Sequence, residues 1–316
     1  MRYIFIVLIL FISVVAKEIK KPNKEYMFSG SVIDMLYKDE KLYCATNKSS
    51  VEVMDIKSKK IVQTIKVKKI KDFMGDTIDA KIYSVDVYKK SILLLSQAKS
   101  SYREVYLFKN KKLINIISVD AKLDIARAKF LDNENIIFAL LGNDIISYNI
   151  KTKKENWKIQ ASQSKFSYFT LNEKKSEIAV ADESGDIHIY DTKSSKLLKV
   201  LSGQNLDNVF QVSYKNRTIA TAGQDRRVVV YDRDSSSAYY KTSNFLIYSV
   251  ALSPSAKLVA YASDENNNVT VFKTSTHTNL ATFGGNEMTL SKIVFKNEHE
   301  FFVASDNKIV NYYKIK

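Results

Sequence analysis

Short apolar runs recur along the chain, and the clearest of them lie between Phe210 and Asp232. The segments Thr218 to Ala222 and Val228 to Tyr231 are rich in β-branched and aromatic residues with a period near two, which is typical of strands. Between them, Gly223-Gln224-Asp225 has the composition of a tight turn, because glycine tolerates a positive φ and an aspartate carboxylate accepts hydrogen bonds from turn amides. This stretch therefore predicts strands joined by a tight turn.

The same pattern returns at regular intervals, in residues 169–191, 248–273 and 291–314. An aromatic and a polar residue end each unit, at Tyr190-Asp191, Tyr231-Asp232, Phe272-Lys273 and Tyr313-Lys314, each pair 41 residues after the previous one. Looser matches end at positions 149, 109 and 55, with spacings of 42, 40 and 54 residues. Because four-stranded propeller blades repeat about every 40 to 45 residues, the chain is predicted to be all-β, a seven-bladed β-propeller.

The ends of the chain predict how the ring closes. Residues 24–30 (KEYMFSG) resemble the outer-strand segments 198–203 and 280–285, whereas the last unit stops directly after its third strand. We therefore expect Tyr26 to Ser29 to pair into the last blade, with Tyr26, Met27 and Phe28 packed against it. Such closure removes the exposed sheet edges that favour aggregation.

The first 16 residues have the pattern of a signal peptide. A charged start, Met1-Arg2, precedes an apolar run from Tyr3 to Val15, and Ala16 follows as a small residue at the cleavage position. The run is shorter than the roughly 20 residues of a membrane-spanning helix. We expect residues 1–16 to be removed and residues 17–316 to form a single exported propeller without stable membrane insertion; an uncleaved N-terminal anchor is the alternative.

Charge and cysteine content argue against nucleic-acid binding and against internal disulfides. The net charge is +15, but only seven of the 49 basic residues are arginines and the lysines are spread over every unit, so no nucleic-acid partner is expected. The single cysteine, Cys44, lies in a predicted strand and is expected to be a buried small apolar residue. The fold must therefore be held by packing rather than by internal disulfides.

An excess of about thirteen residues lies between Val67 and Lys81, in the segment KKIKDFMGDTIDA. Long insertions in compact folds often bind partners, so this loop is a candidate protein-binding site with Phe73, Met74 and Asp76 as its predicted contact residues. A tolerated surface loop is the other interpretation. The aspartate spacing does not match a calcium loop, which needs ligands at alternate positions and a closing glutamate.

Catalytic motifs are not found in the sequence. His188, His277 and His299 fall in different units, no ligand pair has zinc-site spacing, and neither a GxSxG elbow nor a glycine-rich phosphate loop occurs. The lone Trp157 is expected to pack between blades. The recurring turn aspartates are expected to be structural: Asp182, Asp225, Asp264 and Asp306. The sequence thus predicts no catalytic residue, no metal site, no cofactor and no enzyme.

The units resemble the WD40 family over the whole predicted mature chain, with Tyr190-Asp191 and Tyr231-Asp232 at the place of the Trp-Asp dipeptide. The fold implied is a WD40-like propeller. The family's Gly-His dipeptide is absent, and the nearest equivalents are Gly203-Gln204 and Gly285-Asn286.

A lysine-rich, signal-bearing chain of seven such units also resembles the accessory L proteins of the periplasmic nitrate reductase system of epsilonproteobacteria. The segments IATAGQDRRVVVYD and VALSPSAKLVAYASD carry that resemblance. It implies a non-catalytic periplasmic scaffold with protein partners in that system, assisting assembly of the reductase or delivery of electrons to it.

Two other functions stay open. One is a propeller enzyme of the lactonase or quinone-dependent dehydrogenase type, although one tryptophan in the chain argues against a quinone site. The other is a role in envelope or outer-membrane protein assembly. Metal analysis of the purified protein distinguishes a propeller enzyme from a scaffold. Co-purification of partners distinguishes a nitrate reductase scaffold from a role in envelope assembly.

Overall fold

A computed structural model describes residues 18–315, which form 31 strands and two short 3-10 helices. The predicted signal peptide, residues 1–16, lies outside the described residues. The 3-10 helices are Lys99–Ser101 and Val119–Ala121. The strands are β1 (Ile19–Lys20), β2 (Lys24–Met27), β3 (Val32–Lys38), β4 (Lys41–Thr46), β5 (Ser50–Asp55), β6 (Lys60–Lys66), β7 (Ile70–Lys71), β8 (Thr77–Ile78), β9 (Ile82–Tyr88), β10 (Ser91–Gln97), β11 (Arg103–Lys109), β12 (Lys112–Ile117), β13 (Ile125–Phe130), β14 (Asn135–Leu140), β15 (Asp144–Asn149), β16 (Lys154–Gln160), β17 (Phe166–Leu171), β18 (Glu177–Asp182), β19 (Ile187–Asp191), β20 (Leu197–Leu201), β21 (Val209–Lys215), β22 (Thr218–Gly223), β23 (Arg227–Asp232), β24 (Ala238–Thr242), β25 (Val250–Leu252), β26 (Leu258–Ala262), β27 (Val269–Lys273), β28 (Asn279–Phe283), β29 (Leu290–Asn297), β30 (Glu300–Ser305) and β31 (Ile309–Lys314).

These strands assemble into seven antiparallel blades. Blades 1 to 6 are β3–β6, β9–β12, β13–β16, β17–β20, β21–β24 and β25–β28, and blade 7 is β29–β31 with β2. The first strand of each blade lies innermost and contacts the innermost strands of its neighbours, and β29 meets β3 to close the ring. The predicted all-β, seven-bladed propeller is confirmed.

The hydrophobic core is divided among the interfaces between blades. Seven apolar clusters each join two neighbouring blades. In β23, Val229 and Tyr231 pack towards blade 4, whereas Val228 and Val230 pack towards blade 6. Both faces of a blade are buried in this way, which explains the continuous apolar run Val228 to Tyr231. Full burial of such a side chain contributes roughly 1.5–3 kcal/mol.

The N-terminal segment closes the ring as expected. Strand β2 pairs antiparallel with β31, with Tyr26 opposite Val310, so the N-terminal strand is the outermost strand of the last blade. The strand runs from Lys24 to Met27, so it begins and ends two residues earlier than the predicted Tyr26 to Ser29. Tyr26 and Phe28 are buried, but Met27 is 60% exposed, so the expectation that Met27 packs into the blade is wrong. Because alternate residues of a strand point to opposite faces, Met27 points away from the face that buries Tyr26 and is exposed to solvent.

Strand β1 adds an unpredicted second edge cover. Ile19 and Lys20 pair in parallel with Thr282 and Phe283 of β28, which makes blade 6 a five-stranded sheet. The N-terminal segment therefore covers the outer edges of two neighbouring blades.

Three of the four recurring aspartates hold turns through their carboxylates. Asp182 accepts from the Ser184 amide at 2.9 Å, Asp225 from the Arg227 amide at 3.0 Å, and Asp264 from the Asn266 and Asn268 amides at 3.1 and 3.0 Å. This confirms their predicted structural role. Asp306 lies in an equivalent turn and donates its backbone amide to the Thr289 carbonyl.

Asparagines lie at or directly after the two segments nearest to the Gly-His dipeptide of the WD40 family. Asn205 follows Gly203-Gln204, and its side-chain oxygen accepts hydrogen bonds from the buried hydroxyls of Thr221 at 2.9 Å and Tyr231 at 3.2 Å. Asn286 accepts from the Tyr313 hydroxyl at 3.2 Å in blade 7. An amide thus links the loop to the second and third strands without a histidine.

Two single residues behave as the sequence predicts. Cys44 is buried, and burial raises the pKa of its thiol well above the ordinary value, which suits an inert packing role. Trp157 on the outer strand of blade 3 donates its indole N–H to the Thr192 carbonyl of blade 4 at 3.0 Å, so it packs between blades.

Within residues 18–315, the structure contains no helix with the length and hydropathy of a membrane span.

Candidate functional site

The insertion predicted as a binding loop folds into a small hairpin, with β7 paired to β8. The Asp72 carboxylate accepts hydrogen bonds from the backbone amides of Met74 and Asp76, both at 2.9 Å, and Gly75 supplies a positive φ of 92°. This turn presents Phe73, 98% exposed, and Met74, 75% exposed, side by side at the tip. Asp76 closes the turn through its backbone, since its carbonyl accepts from the Asp72 amide.

The base of the hairpin is tied to blade 1. Asp79 accepts a hydrogen bond from Ser49 Oγ at 3.1 Å and forms ion pairs with Lys69 at 3.3 Å and Lys48 at 3.6 Å. Burial alone would raise the pKa of Asp79, but the Ser49 hydrogen bond and the two lysines hold it below its ordinary value. The Ala80 amide donates to Ser49 Oγ at 2.8 Å. The tip is therefore exposed on an anchored base.

A basic groove runs beside the hairpin. Its volume is about 820 Å³, and its wall contains one carboxylate, Glu104, and the aromatic ring of Tyr106. The cationic side chains that line it are Lys66, Lys68, Lys69, Lys71 and Lys99. The apolar tip thus stands next to a surface that favours acidic groups.

A second feature lies in the central channel, where each blade contributes one polar residue at an equivalent position in its innermost strand or, in blade 6, directly before it. In β3, β9, β13, β17, β21 and β29, this position directly follows a β-bulge. We call these seven residues the channel ring: Asp34, Ser84, Arg127, Tyr168, Gln211, Ser249 and Lys292. Six of them are buried in spite of their polarity, namely Asp34, Ser84, Arg127, Tyr168, Gln211 and Ser249.

Ion pairs cross the channel between non-adjacent blades. Asp34 of blade 1 lies 3.6 Å from both Arg127 Nη2 and Lys129 Nζ of blade 3. Asp34 also accepts from the Val85 amide at 3.2 Å. Its pKa falls to about 2, because Arg127, Lys129 and Lys292 together outweigh the effect of burial, which would raise it.

Tyr168 of blade 4 contacts two cations, one from the neighbouring blade 3 and one from blade 7. The Arg127 guanidinium stacks over its aromatic face at 4.1 Å, and Lys292 Nζ lies 4.9 Å from the ring centre and donates a hydrogen bond to the hydroxyl. Burial would raise the pKa of Tyr168, but Arg127 and Lys292 lower it below its ordinary value. Neutral members complete the ring: Gln211 donates to the Ser291 carbonyl at 2.7 Å and accepts from Ser249 Oγ at 3.0 Å.

A cavity of about 480 Å³ lies against the channel ring, where the innermost strands end. Lys129 and Lys175 approach Asp86 in its wall, each at 3.9 Å. Burial lowers the pKa of Lys175; Asp86 offsets this in part, and repulsion from Lys129 and Lys38 adds to it. The lowered pKa of Tyr168 reflects the cations Arg127 and Lys292 beside it, because positive charge favours the deprotonated form of a group.

The hairpin and the cavity lie at opposite ends of the propeller. The hairpin precedes β9, the innermost strand of blade 2, and the cavity lies where such strands end. Successive connections in an antiparallel blade alternate between its two ends. Two separate surfaces are therefore available on one molecule.

Sequence reasoning missed the channel ring because its charges were attributed to a lysine-rich composition. A detectable signal was present: Asp34, Arg127 and Lys292 interrupt otherwise apolar innermost strands at a position that recurs once per blade. Their partners could not be assigned before the ring closed.

The structure does not bring the histidines together. His188 lies 3.9 Å from Asp182, His277 stacks on Tyr239 with centroids 3.7 Å apart, and His299 lies at a turn of blade 7. In the described part of the chain, no group of three His, Cys, Asp or Glu side chains could hold a metal ion.

Blade number, connectivity and the closing strand define this chain as a seven-bladed β-propeller of the WD40-like type. Among solved structures it is similar to the β-propeller domain of Cps50 (Swd1) from Myceliophteria thermophila, with a TM-score of 0.75 and 11% sequence identity, over 93% of this chain and 99% of that one. No protein-family model and no curated protein sequence matches the chain. The structural similarity supports the fold.

Proposed function

We propose that this protein is a non-catalytic interaction scaffold that binds a protein partner through the hairpin of residues 68–80. The proposal rests on Phe73 and Met74, whose apolar side chains are exposed to solvent at the tip of an ordered hairpin. Single exposed apolar residues are common on protein surfaces, but two adjacent ones on an anchored projection form a compact apolar contact. A propeller of the WD40-like type fits such a role.

The surroundings of the hairpin indicate the chemistry of the partner. Aromatic and methionine side chains contribute most interface energy when they are buried in a partner's pocket, whereas charges at the rim mainly steer association. The lysines of the basic groove would attract an acidic rim around that pocket. The partner surface is thus an apolar pocket bordered by carboxylates.

We propose further that the scaffold is exported to the periplasm and supports nitrate reduction, by assisting assembly of the periplasmic reductase or its electron supply. Two sequence features support this proposal, namely the signal-peptide pattern of residues 1–16 and the resemblance to the accessory L proteins of that system. The partner would then be a component of the nitrate reductase system.

Deletion of the gene tests the pathway. We expect whole-cell nitrate reduction to fall without being abolished, because a scaffold assists chemistry that the reductase itself performs. Reductase activity and cofactor loading should recover when the wild-type chain is restored. A deletion strain with unaltered activity and unaltered cofactor loading would contradict this assignment, and recovery of only envelope-assembly proteins with the purified chain would favour that alternative.

A further inference from the structure

The cavity in the central channel lies at the end of the propeller opposite to the hairpin, so the proposed protein contact does not involve it. We propose that it binds a small doubly charged anion, such as inorganic phosphate or a short dicarboxylate. Charge balance, free hydrogen-bond donors and cavity size carry this inference.

The charges around the cavity do not cancel. Five cationic side chains line it: Arg127, Lys129, Lys175, Lys215 and Lys292. Two carboxylates line it, Asp86 and Glu173, and a third, Asp34, lies against Arg127. Five cations against three carboxylates leave two positive charges, which a dianion would neutralise.

Two of the cations have donors that the described residues leave unused. Arg127 Nε is buried and has no hydrogen-bond partner within residues 18–315. Lys292 Nζ has no carboxylate within 4.0 Å in that range, and its contact is the hydroxyl of Tyr168. A buried donor without a partner, such as Arg127 Nε, is unfavourable, and an anion in the cavity would accept a hydrogen bond from it and from the remaining Lys292 N–H groups.

The cavity also limits the size of the ligand. Its volume of about 480 Å³ is at the lower end of the range for small-molecule sites, about 300–1,000 Å³. Apolar side chains of Val212, Leu252 and Val294 form part of its wall. Such a wall strengthens the attraction between the cations and a small anion, because it excludes water from between them.

Calorimetry and thermal melting of the purified full chain test the proposal, with inorganic phosphate, sulfate and succinate as separate probes at low ionic strength. We expect at least one probe to bind and to raise the melting temperature, and added sodium chloride to weaken that binding. Phosphate and succinate distinguish an oxyanion site from a dicarboxylate site. If none of the three binds or shifts the melting temperature, the proposal is wrong.

A pair of variants then tests whether the anion binds in the cavity. Lys292→Met should weaken binding by about ten- to hundredfold, since it removes one charged hydrogen bond without leaving a paired carboxylate behind. Lys112→Met is the matched control, because Lys112 is an exposed lysine on the outer strand of blade 2 and its loss changes the net charge equally. If Lys292→Met fails to fold, Lys215→Met at the cavity wall replaces it. Equal affinity in the cavity variant and the control would contradict the proposed location.

Discussion

Asp34 shows how a single residue connects folding to the charge of the channel. It is 2% exposed and lies between Arg127 and Lys129 of another blade. A buried carboxylate is favourable only while its partners remain, and removing one partner from such a pair is costly because the other charge stays buried. The Asp34 carboxylate therefore stabilises ring closure only while Arg127 and Lys129 remain beside it.

Replacement of Asp34 by asparagine tests this dependence. We expect Asp34→Asn to lower the free energy of unfolding by about 3 kcal/mol at neutral pH, because Arg127 and Lys129 lose a charge partner. Urea unfolding measures the difference. Asp306→Asn, at an exposed turn, is the control and should stay within about 0.5 kcal/mol of wild type.

The stability difference between wild type and Asp34→Asn should also depend on pH. The folded pKa of Asp34, about 2, lies below its ordinary value, so ionisation stabilises the fold above about pH 4 and this contribution is lost as pH falls through the folded value. The gap between wild type and Asp34→Asn should therefore narrow between about pH 5 and about pH 2.5. A constant gap across this range, or equal stability at neutral pH, would show that Asp34 has no such role.

At the scale of strands and hairpins, the repeated second and third strands were predictable because both of their faces are buried and their apolar composition is strong. Strand β1 was not predictable, since two residues, Ile19 and Lys20, carry no periodic pattern and pair only because blade 6 offers an edge. Met27 was assigned to the core for a related reason. A short strand of mixed composition does not reveal from sequence which of its faces meets a neighbour.

Removal of residues 17–30 tests the closing strand. We expect a lower melting temperature and aggregation, because the outer edge of blade 7 is exposed and buried Tyr26 and Phe28 are lost. Each of these side chains contributes roughly 1.5–3 kcal/mol, a substantial part of a typical domain stability of about 5–15 kcal/mol.

A shorter truncation is the control for this experiment. Removal of residues 17–22 takes away β1 but keeps β2, and Ile19 is largely exposed, so the loss of stability should be smaller. Thermal melting and size-exclusion chromatography compare the two. A chain lacking residues 17–30 that stays monomeric and melts with the full-length protein would contradict the role of β2.

At the scale of the whole molecule, ring closure creates features that no local pattern contains. Arg127 and Lys292 are 165 residues apart in the chain and meet at Tyr168 only because blades 3, 4 and 7 surround one channel. The insertion, in contrast, was recognisable from length alone, and its exposed tip follows from the local turn residues Asp72 and Gly75. The propeller thus separates an apolar contact on one face from a cationic cavity on the other.

Quantitative capture from a periplasmic extract tests most directly whether this propeller binds a partner through the tip of the hairpin, as proposed above. Three baits are compared: wild type, Phe73→Ser with Met74→Ser, and the control Leu206→Ser with Met288→Ser. Leu206 and Met288 are 65% and 48% exposed and lie in connections at the same end of the propeller as the hairpin. All three should melt within about 2 °C of one another, because exposed side chains contribute little to stability.

We expect wild type and the control to recover equal amounts of a nitrate reductase component. The hairpin variant should recover at least about tenfold less, as loss of a central apolar anchor predicts. Equal recovery by all three folded baits would contradict binding through Phe73 and Met74.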